Sequence, residues 1–335
     1  MRRALWLLAV SGVLSLLVGL SGCGGGSDTA GPAAETAAKP DPKPPPPPPE
    51  PVPTPEKIAF QRDAQVWTMY TNGTGAVPLT SEGGNGSPCW RGDGQEICFV
   101  SNRTGKVRLF AMNNDGSNQR QVSFSDREED HEGPHWCWAD PNRITFGIRG
   151  LVDAPATTLA VLEMNQSPPA VTKICYPRWG LRSPTWSPNG SRILYEGENG
   201  GHAFVVEAEE GATPSRVLSA IVPVMEPAWS PTGTHVAYTD DNGLWVVPVD
   251  DTGEATGQAE RVAYHGNTKD FYYSLRFPTW APDGSHLAYW VRVWKKKGAG
   301  FVYDRDDIYK VQAVPGDTPQ YLGAGLNPEW SPTVF

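Results

Sequence analysis

The chain has 335 residues, a formal net charge of −9, 19% charged residues, 33 prolines, 36 glycines and five cysteines. An acidic balance with no basic stripe argues against a nucleic-acid partner.

Met1-Arg2-Arg3 precedes an apolar run, LWLLAVSGVLSLLVGL, that leads to Ser21-Gly22-Cys23. A basic start, a short hydrophobic segment and small residues at its end predict an export signal over residues 1–22. Leu20-Ser21-Gly22-Cys23 resembles the bacterial lipobox, and the resemblance implies removal of the signal and diacylation of Cys23. Gly24 rather than Asp follows Cys23. By the same resemblance, that implies the periplasmic face of the outer membrane in a cell with two membranes, and the cell surface otherwise. Acyl chains contribute about 0.8 kcal/mol per buried methylene, so two or three of them anchor stably.

Residues 23–56 read as a disordered tether. Pro40 to Pro55 contains eleven prolines, six of them consecutive. Such a run is a semi-rigid polyproline II spacer, and the tether reaches on the order of 50 Å.

Residues 57–335 carry one phrase repeatedly: Pro, one residue, Trp, a polar turn, then a short apolar strand. It reads SPCWRGDGQEICF from Ser87, SPTWSPNGSRILY from Ser183, EPAWSPTGTHVAY from Glu226 and FPTWAPDGSHLAY from Phe277. A degenerate copy, GPHWCWADPNRITF, starts at Gly133 with one extra residue, and a short one, NPEWSP, starts at Asn327. The six Trp anchors lie 43 to 51 residues apart, the period of a propeller blade. Pro presets φ and Gly takes the positive-φ position in each turn, so the phrase is a hairpin.

After each turn the sequence predicts a second strand (for example ILYEG), a third (AFVVEAE) and a fourth (SRVLS). Lys57 to Thr80 supplies three strands (KIAFQ, VWTMY, AVPLT) and lacks the Pro-x-Trp strand that NPEWSP supplies at the other end. Joining the two predicts an all-β, six-bladed β-propeller closed by N- and C-terminal strand pairing. The repeats strongly resemble the WD40-like (PD40) repeat of TolB-type periplasmic β-propellers. The resemblance spans Lys57 to Phe335 and implies an envelope partner, either a protein or peptidoglycan-associated material.

Cys89 and Cys98 lie on opposite arms of one hairpin, and counting from its turn places them face to face, as a disulfide requires. Cys137 and Cys175 fall in the first and fourth strands of one blade, too far apart for a bond in a regular sheet. None of the cysteines shows the close second pair that metal ligation needs.

Turns between strands 1 and 2, and 3 and 4, share one face of the ring, and they are short. Connections from strand 2 to 3, and from strand 4 to the next blade, share the other and vary in chemistry, so binding is expected there. That face carries Asp126, Glu128, Asp130, His131, Arg178, Trp179, Arg182, Glu226, His265, Lys269, Tyr272, Tyr273 and Arg276. A loop from Arg292 to Asp307 is expected to rise beside them, with Lys295-Lys296-Lys297 as a solvated tip. No cofactor is expected; the alternative is Ca²⁺ at the acidic run Asp126–Glu132, which offers hard oxygens without EF-hand spacing. Nucleophile-elbow, zincin, Walker A and dinucleotide motifs are absent from the sequence. The reading is therefore a non-enzymatic binding module for an envelope protein or cell-wall-associated partner. The alternative is a glycan- or peptide-processing lyase or hydrolase with its site at the channel mouth.

Overall fold

A computed structural model describes residues 56–332, apart from 125–128, 151–156, 178–180, 198–200 and 222. Six antiparallel four-stranded sheets make a six-bladed propeller. Blade 1 comprises Asn85–Trp90, Glu96–Ser101, Arg108–Asn113 and Arg120–Gln121. Blade 2 comprises Glu129–Trp136, Arg143–Gly150, Thr157–Glu163 and Ala170–Cys175. Blade 3 comprises Leu181–Trp186, Arg192–Gly197, His202–Glu207 and Ser215–Val217. Blade 4 comprises Met225–Trp229, His235–Asp240, Gly243–Pro248 and Glu260–Ala263. Blade 5 comprises Phe271–Trp280, His286–Lys297, Gly300–Gln312 and Gln320–Ala324.

Blade 6 closes the ring as the repeat count requires. Its first strand is Leu326–Trp330, and Lys57–Arg62, Gln65–Tyr70 and Val77–Pro78 follow. Ile58 pairs with Trp330, and Ala59 with Glu329. The six sheets are thus completed by strands within 56–332 alone.

The core lies between the blades as six apolar layers, one for each adjacent pair. The layer between blades 4 and 5, for instance, packs Ala237, Leu244 and Val262 against Trp280, Leu287 and Tyr289. Blades 6 and 1 meet through Ala59, Val66, Trp90, Ile97 and Phe99. Three of the anchor tryptophans also bridge blades by hydrogen bonds. Trp90 Nε1 donates to the Glu329 carbonyl at 3.1 Å, Trp186 Nε1 to that of His135 at 3.0 Å, and Trp280 Nε1 to that of Ala228 at 3.0 Å. A buried indole N–H needs such a partner, which explains Trp rather than Phe at these anchors.

The hairpin turns are built from the residues that named them. Asp93, Asn189 and Asp283 each accept a backbone N–H two residues on, at 3.0, 3.1 and 2.9 Å. Gly94, Gly190 and Gly284 follow with φ of +69°, +71° and +72°.

A bulge recurs in every innermost strand. The residue before the repeat proline is left-handed in all six blades: Ser87, Gly133, Ser183, Glu226, Phe277 and Asn327, with φ between +45° and +56°. The register shifts at the same place, as between Arg182 and Thr185. Proline lacks an N–H to give the ladder, so the strand is interrupted where that loss is least costly, at the innermost edge facing the channel.

Candidate functional site

The bulges line an axial cavity of about 290 Å³. Its wall is made by the six repeat prolines, by Trp186, Trp229 and Trp280, and by the residues between Pro and Trp: His135, Thr185, Ala228, Thr279 and Glu329. Its ionisable lining residues are His135, Glu226 and Glu329, with neither Lys nor Arg. Burial raises the Glu329 carboxyl to about 8 and lowers the His135 imidazole to about 4. Their side chains stand 3.8 Å apart across blade 1, both largely shielded from solvent. Each group therefore stays neutral near pH 7, and the contact is not an ion pair. The cavity occupies the half of the channel toward the strand 1–2 turns, and of the nine expected rim residues that are described only Glu226 touches it.

Glu226 instead marks the boundary between that cavity and the channel mouth on the variable-loop face. Its left-handed backbone lets its own N–H donate to Glu196 Oε2 at 2.7 Å. Its carboxylate accepts the Phe277 N–H at 3.0 Å and the Thr239 hydroxyl at 3.1 Å, and Arg276 Nη1 lies 3.4 Å away. Arg276 is steadied by donating from Nε to Ser274 Oγ at 3.0 Å. Arg182 sits directly opposite Glu196 in the blade-3 ladder and is exposed. Burial raises both carboxyls, and for each the nearby guanidinium groups work in the other direction. Two arginines thus rim the mouth, one exposed and one half-buried, over two buried carboxylates that belong to neighbouring blades. That arrangement suits a carboxylate or another planar acceptor approaching from solvent.

The other expected residues divide. Cys23, Asp126, Glu128, Arg178 and Trp179 lie outside the described residues. His131 is buried, with Nδ1 2.7 Å from Ser123 Oγ and its ring against Phe146, so it serves the blade rather than the rim. Asp130 accepts the Val107 N–H at 3.0 Å and ties blade 2 to blade 1. His265 is wedged among Tyr273, Tyr289 and Tyr309, with Nε2 3.0 Å from the Tyr289 hydroxyl, and burial lowers its pKa. Lys269 is exposed, while Tyr272 and Tyr273 are half-buried.

The segment expected as a loop from Arg292 to Asp307 is instead a paired extension of blade 5. His286–Lys297 and Gly300–Gln312 pair as far as Lys297 with Gly300, and Phe271–Trp280 runs alongside from Phe271 opposite Lys295. The result is a three-stranded flap on the variable-loop face. Alternating Tyr, Val, Trp and Arg side chains give its strands a period of two, a pattern masked by the triple lysine and the Gly-Ala-Gly turn.

Cys89 and Cys98 are opposite one another in the ladder, as counted from the turn, and both are buried thiols without a bond in this structure. Cys137 and Cys175 are buried thiols in the layer between blades 2 and 3. Among the described residues no group of three or more His, Cys, Asp and Glu is placed to hold a metal ion.

Fold and channel define a six-bladed β-propeller with an arginine-rimmed mouth. No protein-family model matches this chain. The chain is 35% identical over 74 residues to the Tol-Pal system protein TolB of Geobacter sulfurreducens, a match spanning 22% of this chain and 17% of that protein. Crystallographic TolB from Acinetobacter baumannii superposes with a TM-score of 0.61 at 14% identity, over 83% of this chain and 67% of the other. A putative TolB from Agrobacterium tumefaciens gives a TM-score of 0.56 at 15% identity, over 81% and 91%. The chain is structurally related to these propellers, and at that identity the likeness establishes the fold.

Proposed function

We propose that this propeller is an envelope binding module that captures a protein or cell-wall-associated partner at the channel mouth on its variable-loop face. The observation that carries the reading is the Arg182–Glu196–Glu226–Arg276 network. The buried Glu226 carboxylate holds the Arg276 guanidinium at a solvent-facing rim, and the exposed Arg182 stands opposite Glu196 beside it, so that an acceptor group meets one cation already in place and a second free to close on it. In this reading Cys23 carries the lipid anchor, residues 23–56 are the spacer and the ring presents the site. The 74-residue likeness to a Tol-Pal system protein supports an envelope setting.

The test uses the soluble ring, residues 56–335, as bait against solubilised envelope proteins and purified cell-wall fragments. The bait is expected to retain a specific partner. An Arg182→Ala bait, which changes an exposed side chain and should keep its melting temperature, is expected to lose it by at least about tenfold, the loss of one charge-assisted contact. Equal capture by both baits would remove the mouth from the account.

A further inference from the structure

We propose that the tip of the blade-5 flap is a membrane-contact site, seating Phe301, Val302 and Tyr303 at the surface of an anionic phospholipid bilayer with Lys295, Lys296 and Lys297 against its head groups. Phe301, Val302 and Tyr303 are 46%, 43% and 54% exposed, three large apolar residues in succession on a protruding strand. The adjoining turn, Gly298-Ala299-Gly300, has no bulky side chain to keep them off a surface. Cross-strand register sorts the flap into rows. Lys296 lies opposite Phe301 and Lys295 opposite Val302 at the tip, and Trp294 lies opposite Tyr303 and Tyr272 in the row behind. Tyr272 packs on Phe301 at 6.3 Å and Trp294 on Tyr303 at 6.2 Å. Arg292, paired with Asp306 at 3.0 Å, follows at the base. Apolar tip, aromatic row and charged base repeat the polarity profile of a membrane–water interface, where Trp and Tyr sit at head-group level and Lys reaches outward.

The charge pattern selects an anionic surface. The acids of the flap are engaged at its base, where Asp306 meets Arg292, and Asp304 and Asp307 share Arg305 at 2.6 and 2.8 Å. The three lysines have no carboxylate within ion-pair distance among the described residues, and all three are exposed. They stand out on a chain of net charge −9. Protein interfaces exclude lysine from their apolar centres, which weighs against a protein seated on this tip. A bilayer accommodates lysine and apolar residues together because the ammonium groups stay at head-group depth. The hairpin's paired backbone lets its tip approach that interface without exposing the amides between these two strands.

Co-sedimentation of the ring, residues 56–335, whose sheets are complete within themselves, tests this. The vesicles are phosphatidylcholine alone or with about one third phosphatidylglycerol, enough to set a negative surface potential. The ring is expected to sediment with the anionic vesicles only, and less so as salt rises. Lys295→Ala/Lys296→Ala/Lys297→Ala is expected to weaken binding on the order of a hundredfold. Phe301→Ser is expected to weaken it by about tenfold or more while leaving the salt dependence. Melting temperatures should match the wild type, because these side chains lie outside the core. Binding to neither vesicle, equal binding to both, or undiminished binding of the triple variant overturns the proposal. So does retention on an immobilised acidic protein without vesicle binding, which would make the tip a protein contact.

Discussion

Glu329 shows how one position in a repeat becomes a titrating group. It stands between Pro and Trp, where sister blades place Cys89, His135, Thr185, Ala228 and Thr279. Burial takes its carboxyl from 4.5 to about 8, so the ring prefers it protonated. Its contribution to stability is full below pH 4.5 and is lost as pH rises toward 8. His135 works in reverse: burial takes it from 6.5 to about 4, so its contribution is full above pH 6.5 and is lost as pH falls toward 4. Urea unfolding of wild type between pH 5 and pH 8 should lose roughly 2–4 kcal/mol relative to Glu329→Gln, whose profile lacks this dependence. Parallel profiles would contradict the assignment. Glu226 makes a different prediction, because its carboxylate satisfies the Phe277 N–H and the Thr239 hydroxyl in a nearly solvent-free position. Glu226→Ala leaves those donors without an acceptor and takes from Arg276 its carboxylate. It should cost about 2–4 kcal/mol in the denaturant midpoint, whereas an exposed Glu such as Glu210 should cost under about 0.5 kcal/mol.

Among the elements, the innermost strand combines what the sequence discloses with what it hides. Pro-x-Trp and the Asx-Gly turn disclosed the hairpin, because each residue there is chosen for a local conformation that a short window contains. The left-handed residue before each proline was hidden, since proline ordinarily pushes its predecessor toward extended backbone and only ring geometry reverses this. Ser183, at φ +47°, bears that strain without a large side chain to lose. Ser183→Gly should therefore raise stability by about 0.5–1 kcal/mol. Phe277, at φ +45°, stacks on Trp290 at 6.2 Å, and Phe277→Gly should lower stability instead. Chemical denaturation of both variants separates the two effects. The opposed cysteines were legible by counting from a turn of known type. His131 was misplaced on the rim because a charged run does not reveal which residues the pleat turns inward.

At the scale of the whole molecule, the mouth was legible only in pieces. Arg276 and Glu226 were expected on one face from blade topology, but 50 residues and a blade boundary separate them. No short-range pattern announces their contact. Glu196 was missed altogether, and aligning the repeats would have found it: the fifth residue of the six second strands is Gln61, Val100, Gly147, Glu196, Thr239 or Trp290, so a carboxylate there is exceptional. Closure itself was readable, since one end lacked the strand that the other supplied. Ending the chain at Gly325 removes that strand and exposes Ile58, Phe60 and the Trp90 indole N–H. Such a chain should melt well below the intact ring and self-associate through the opened edge, as read by calorimetry and size-exclusion chromatography.

Photo-crosslinking in intact envelopes tests the central claim most directly, with the reactive residue placed at Arg182 or, for comparison, at Asn189 in a strand 1–2 turn on the opposite face. The account predicts a discrete adduct from position 182 and none from 189. Adducts from 189 alone, or the same adducts from both positions, would contradict a partner site at the arginine-rimmed mouth.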